Sequence, residues 1–135
     1  MIFQINERDF RLLLDLVYSG NWVLNSAREG DRIPEYDRVQ RIVFAHCGAA
    51  GLDLLCENGC EPSAQYVDGG IHEAILDYED SVFYGILAEE LARRDLRDRD
   101  VDGADNELLN ARIDEYMAEF TRNGIDNLTL GQGEG

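Results

Sequence analysis

The sequence predicts an all-α fold, an antiparallel bundle of about four helices with a minor two-stranded edge formed by the termini. Apolar residues recur at helical spacing in four segments, and stretches with glycine, proline or asparagine separate them. Only two prolines occur in 135 residues, and 44% of the residues are hydrophobic, enough for a core. We therefore expect one domain over residues 1–130 and a disordered tail over 131–135.

The first helix is predicted from Glu7 to about Arg28. Asn6 is a favoured N-cap residue, and Asp9 follows at the third position of a capping box. Because apolar residues surround most of its circumference, this helix is expected to be the central and most buried one. Those residues are Phe10, Leu12, Leu13, Leu14, Leu16, Val17, Tyr18, Trp22, Val23 and Leu24.

The second helix is predicted to begin at Pro34, because proline suits the first helical turn. It is predicted to end at Asn58-Gly59 with a left-handed cap, before Pro62. Its expected core stripe is Tyr36, Val39, Val43, Cys47, Ala50 and Leu54.

The third helix is predicted from near Asp68 to about Arg97, a length of about 40 Å at 1.5 Å per residue. A helix of this length either breaks between Ser81 and Gly85 or extends to meet a partner. Two apolar rows are expected to face the core. One is Ile71, Ile75, Tyr78, Val82 and Ile86, and the other is Leu76, Phe83, Leu87 and Leu91.

The fourth helix is predicted from about Asn106 to Arg122, closed by Asn123-Gly124. The weak alternation over Ile125–Leu130 predicts a short strand. It would pair with Met1–Ile5 as the minor edge.

The charge balance excludes several function classes. The chain has 28 acidic residues against 12 arginines and no lysine, for a formal charge of −16. Such a field repels DNA, RNA and anionic lipid, so we expect no direct nucleic-acid or membrane binding. The composition is typical of a GC-rich genome. The functional alternative is an acidic surface that mimics nucleic acid and inhibits a DNA-acting protein.

Sequence features indicate a cytoplasmic protein. No apolar run approaches the ~20 residues of a membrane span. The segment Met1–Glu7 lacks the basic start and the small-residue cleavage site of a signal peptide. Three cysteines are an odd number, which is typical of reduced thiols rather than of a disulfide framework.

One segment resembles the first half of an EF-hand calcium loop. Asp98, Asp100 and Asp102 alternate and a glycine follows, so carboxylate oxygens can converge on one hard cation. The second half departs from that pattern, because the twelfth position is Leu109 and the nearest acid, Glu107, lies two residues earlier. The candidate calcium ligands are Asp98, Asp100, Asp102 and Glu107. The alternative is an acidic turn that interacts favourably with the dipole of the next helix.

The cysteines and histidines predict neither a complete zinc site nor a complete catalytic site. Cys56 and Cys60 have zinc-like spacing, but His46 and Cys47 are adjacent and point about 100° apart on a helix. Cys47 and His72 could act as a nucleophile and its general base only if the two side chains lay close together in the fold. We therefore expect no catalytic residues and no resident cofactor apart from the candidate calcium site.

Two asparagines inside the first helix must find partners if they are buried. Asn21 and Asn25 lie one turn apart, where they would either line a small polar pocket or bind a neighbouring loop backbone.

These observations predict an acidic protein that acts through protein–protein contacts, as a partner-binding module or as a homodimer along the long third helix. The alternatives are the nucleic-acid mimic and the calcium-binding module.

Overall fold

The computed structural model describes residues 1–98 and 106–131. The helices are α1 (Glu7–Asn25), α2 (Pro34–Phe44), the short α3 (Ala64–Tyr66), α4 (His72–Asp98) and α5 (Asn106–Asn123). A hairpin pairs β1 (Cys56–Glu57) with β2 (Glu61–Pro62). The predicted all-α class is confirmed, and a small two-stranded antiparallel sheet accompanies the helices. None of the helices in the described part combines the length and hydrophobicity needed to cross a bilayer.

The chain divides into two compact units, Met1–Leu76 and Asp77–Gly135, and each is described by itself. The expected single domain over residues 1–130 stays a prediction. Residues 132–135 of the expected tail lie outside the described residues.

In the first unit, α1 begins where the sequence predicts. The Asn6 side chain accepts a hydrogen bond from the Asp9 backbone N–H (2.8 Å) and donates one to the Asp9 carboxylate (2.9 Å). Both exchanges stabilise the first turn. The helix ends at Asn25, three residues before the predicted end at Arg28, because the chain turns there toward α2.

The predicted second helix is too long by about fourteen residues, since α2 ends at Phe44. The following segment contains several small residues, and the chain reverses at Gly51 (φ 74°). The Leu52 N–H donates to the Cys47 carbonyl (2.8 Å), which closes this turn. The low helix propensity of Gly48 and the left-handed backbone of Gly51 favour the early end.

Asn58 and Gly59 form a hairpin turn rather than the predicted helix cap. Both have positive φ, 52° and 81°, and the Cys60 N–H donates to the Glu57 carbonyl (3.2 Å). Asn-Gly suits left-handed backbone in either setting, so the dipeptide alone does not distinguish a cap from a hairpin. The two-stranded sheet is therefore the hairpin of β1 and β2. The predicted edge formed by the termini is wrong, because residues 1–5 and 125–130 contain no strand.

The core of the first unit is small. Its buried apolar cluster is Phe10, Leu14, Phe44, Cys47 and Tyr66. The prediction that α1 is buried on most of its surface is wrong, because its buried residues are Phe10, Leu14, Asn21 and Asn25 alone. In α2, Tyr36 and Val39 of the predicted stripe are likewise exposed.

A π-helical turn over Val67–Ile71 precedes α4, and Gly70 (φ 114°) interrupts the helix there. The predicted helix start near Asp68 therefore moves to His72. Beyond it, α4 continues for 27 residues without a break between Ser81 and Gly85.

In the second unit, α4 from Asp77 onward packs against α5. Ala88, Ala92 and Leu96 are buried on α4 and Phe120 on α5, whose ring lies 5.5 Å from that of Tyr84. The two apolar rows predicted for this helix are only partly correct, because several of their members are exposed. Those are Leu76, Tyr78, Phe83 and Ile86.

Candidate functional site

The candidate calcium site falls mostly outside the described residues. Asp100 and Asp102 belong to the segment that is not described, and so does the side chain of Asp98. Glu107 is exposed in the first turn of α5. The calcium site stays a prediction.

The thiols do not assemble with the histidines. Cys47 is buried in the core cluster, and Cys56 packs against that cluster. Burial raises the pKa of the Cys47 thiol to about 11, which keeps it protonated and unreactive near neutral pH. Among the residues that the structure describes, no group of three His, Cys, Asp or Glu residues is arranged to hold a metal ion.

His72 meets a phenol rather than a thiol. Its Nε2 lies 2.7 Å from the Tyr18 hydroxyl, and its ring contacts the Trp22 ring edge-on at 4.7 Å. The hydrogen bond links residues 54 positions apart, so it ties the start of α4 to α1. Burial raises the pKa of Tyr18, so its hydroxyl stays neutral and the pair acts as a structural hydrogen bond.

Tyr66 makes a second long-range contact with α1. Its hydroxyl donates to the Asp15 carboxylate (2.8 Å), and the Arg11 guanidinium lies 5.2 Å above its ring. Burial and the neighbouring carboxylate raise the pKa of Tyr66. These contacts fix α3 against α1, and the Tyr66 hydroxyl stays protonated and bound to Asp15.

The two α1 asparagines bind α2 and the loop before it. Asn25 accepts a hydrogen bond from the Ile33 N–H (2.8 Å) and donates one to the Ile33 carbonyl (2.9 Å). Asn21 accepts from Asn25 and donates to Asp37 and Gln40. The prediction of binding to a loop backbone is confirmed for Asn25, whereas Asn21 binds side chains of α2 instead. The buried polar atoms of both residues have partners within the protein.

In the second unit, Asp95 is the centre of a polar cluster. Arg94, Arg112 and the Tyr116 hydroxyl all donate to its carboxylate, which is 14% exposed. Burial favours a raised pKa, but these donors outweigh it and lower the pKa of Asp95 to about 2. The cluster joins α4 to α5 and is saturated by its own donors.

The outward face of α1 is apolar. Leu12, Leu16 and Val23 are 55%, 70% and 69% exposed. Their spacing of four and seven residues places them on one side of the helix, opposite Leu14 and Asn21, which are buried. We call Leu12, Leu16 and Val23 the outer α1 face.

A groove of about 450 Å³ lies beside α1 in the same unit. Apolar residues of α1, α2 and the two flanking segments line most of it, and Glu7 and His46 lie among them. The lining includes Phe10, Leu13, Ile42, Val43 and Ala50.

Helical periodicity places the residues of the outer α1 face among the predicted core residues. A signal was available, since apolar residues occupy nearly the whole circumference of α1 and only one side of a helix can face a single small core.

Comparison of the chain with models of known protein families, with curated proteins and with solved structures gives no match.

Proposed function

We propose that this protein is a protein-contact module whose outer α1 face binds an apolar surface of another protein molecule. The supporting observation is the exposure of Leu12, Leu16 and Val23 in one row. Single exposed aliphatic residues are common on soluble proteins, but contiguous apolar surface is typical of interaction sites.

Burial of this face on binding is favourable. Each large aliphatic side chain that becomes fully buried contributes about 1.5–3 kcal/mol. In small interfaces a few buried side chains provide most of the binding free energy. The three residues of the outer α1 face could fill this role.

The acidic surroundings favour a partner with basic residues around its contact patch. The chain carries −16 overall, and acidic residues flank the row at Asp9 and Asp15. Complementary charge increases the association rate and excludes acidic competitors. A basic partner would bind more weakly at high salt.

The test is site-specific photo-crosslinking in intact cells, with the reactive amino acid at Leu16. The control carries it at Glu29, which is exposed in the loop after α1. We expect a discrete adduct with one protein species from position 16, none from 29, and loss of the adduct in L12E. The mass of the adduct distinguishes a second copy from a different protein.

Folding must be monitored in the same series. L12E and L16E should change the free energy of unfolding by less than about 0.5 kcal/mol, because both side chains are exposed. A crosslink from position 16 to this chain's own helices, or a large loss of stability in L16E, would contradict the proposal.

A further inference from the structure

We propose that a second copy of this chain pairs with the exposed face of α4 in antiparallel orientation, with the two-fold axis at Ile86. This inference goes beyond the proposed function, because it rests on the second unit alone and is independent of what binds the outer α1 face.

The exposed side of α4 carries a heptad-like row. Alternate steps of four and three residues connect its members, which keeps them on one side of a helix over five turns. All of them are exposed, and the buried residues Ala88 and Ala92 lie on the side toward α5. The row is Glu79, Phe83, Ile86, Glu90, Arg93 and Arg97.

The centre of this row is apolar and exposed. Phe83 is 50% exposed and Ile86 57% exposed. The row is acidic at Glu79 and basic at Arg93 and Arg97. A helix face with opposite charges at its two ends is complementary to its own antiparallel copy, as a closed two-fold interface requires.

The charges discriminate among the possible pairings. A parallel pair places Glu79 against Glu79 and Arg93 against Arg93, which is repulsive at both levels. An antiparallel pair that matches Phe83 with Ile86 places Glu79 against Glu90 of the other copy, again repulsive.

A shift of the antiparallel register by three residues removes the repulsion. Residues whose numbers sum to 172 then face each other, so Ile86 meets its own copy and Glu79 meets Arg93. Phe83 then lies opposite the aliphatic part of Glu89 of the other copy, and two symmetric ion pairs flank the apolar centre. Of these three pairings, this one alone combines an apolar centre with opposite charges at both ends.

The interface is small. It excludes water from two Phe83 and two Ile86 side chains, so we expect a weak, concentration-dependent dimer rather than an obligate one. Arg93 already binds Glu89 (2.7 Å) on its own helix, and since both side chains are about half exposed, exchange for Glu79 of the second copy costs little.

The test is sedimentation equilibrium over a range of concentrations, with circular dichroism to confirm that each variant folds. I86E places two carboxylates together at the axis and should abolish the dimer. E79R should weaken association about tenfold, since it replaces two attractive pairs with repulsive ones. D114R, an exposed change of equal charge on α5, is the matched control and should not weaken it.

Charge exchange tests the register. The double variant E79R/R93E should restore the wild-type association, because opposite charges again face each other. A mixture of E79R with R93E should form mixed dimers more strongly than either variant forms its own. A wild-type chain that stays monomeric at millimolar concentration, or a double variant as weak as E79R, would overturn the proposal. L16E should leave this equilibrium unchanged, which separates the result from a failure of the outer α1 face to bind.

Discussion

Asn25 shows how one side chain positions a connection between helices. It exchanges two hydrogen bonds with the Ile33 backbone and a third with Asn21, and it is almost fully buried. A buried polar group that is left without its partner lowers the free energy of unfolding by more than the net contribution of one hydrogen bond.

We expect N25A to lower the free energy of unfolding by about 2–4 kcal/mol, because it leaves the Ile33 N–H and carbonyl without their partner. Urea unfolding followed by circular dichroism measures this change. N110A, an exposed asparagine of α5, is the control and should not destabilise the protein. Equal stabilities for N25A and wild type would show that the loop does not depend on this contact.

Asp95 links the stability of the second unit to pH. Its pKa is lowered from an ordinary value near 3.9 to about 2 in the folded state. The unfolded chain therefore binds a proton first as pH falls. The stabilisation, about 2 kcal/mol, is complete above about pH 5 and disappears toward pH 2.

D95N should therefore be less stable than wild type at pH 7 and show a smaller loss of stability between pH 5 and pH 2. Urea unfolding at several pH values tests this, and D114N serves as the control because Asp114 is exposed. A pH dependence identical to that of wild type would contradict this role of Asp95.

Among the secondary-structure elements, α4 differs from the prediction in an informative way. It continues through Gly85, where a break was one expectation, and the apolar side chains predicted for the core are divided between two faces. Periodicity identified the helix and its length, but not the face that α5 covers.

Two glycines should respond oppositely to alanine. An added Cβ at Gly85 meets no atom within 4 Å, so G85A should stabilise the protein by up to about 1 kcal/mol. Gly59 has φ +81° in the hairpin, so G59A should destabilise it by about 1 kcal/mol. Thermal unfolding of both variants tests the pair, and destabilisation by G85A would indicate that α4 packs closely at this position.

The charge of the entire chain acts against its compact state. Twenty-eight acidic residues face only twelve arginines, and several arginines already form ion pairs. The remaining carboxylates repel each other in the folded protein more than in the expanded unfolded chain.

Added salt should therefore stabilise the protein. The Debye length falls from about 30 Å at 0.01 M to about 3 Å at 1 M, so NaCl over this range should raise the free energy of unfolding by about 1 kcal/mol or more. Urea unfolding at each salt concentration measures this. At pH 4, where many carboxylates are protonated, the gain should shrink. A decrease in stability with salt would show that attractive ion pairs dominate.

The sequence was sufficient for the all-α class and for the features that local chemistry determines. The cap at Asn6, the start at Pro34 and the end of α5 before Gly124 depend on residues within one turn of each site. Tertiary structure decided which apolar faces are buried, where the hairpin lies and which distant side chains meet. Helical periodicity marks every apolar face, but this chain has more of them than its small cores can cover. Contacts such as Tyr18 with His72 depend on how the helices are arranged, which spacing along the chain does not encode.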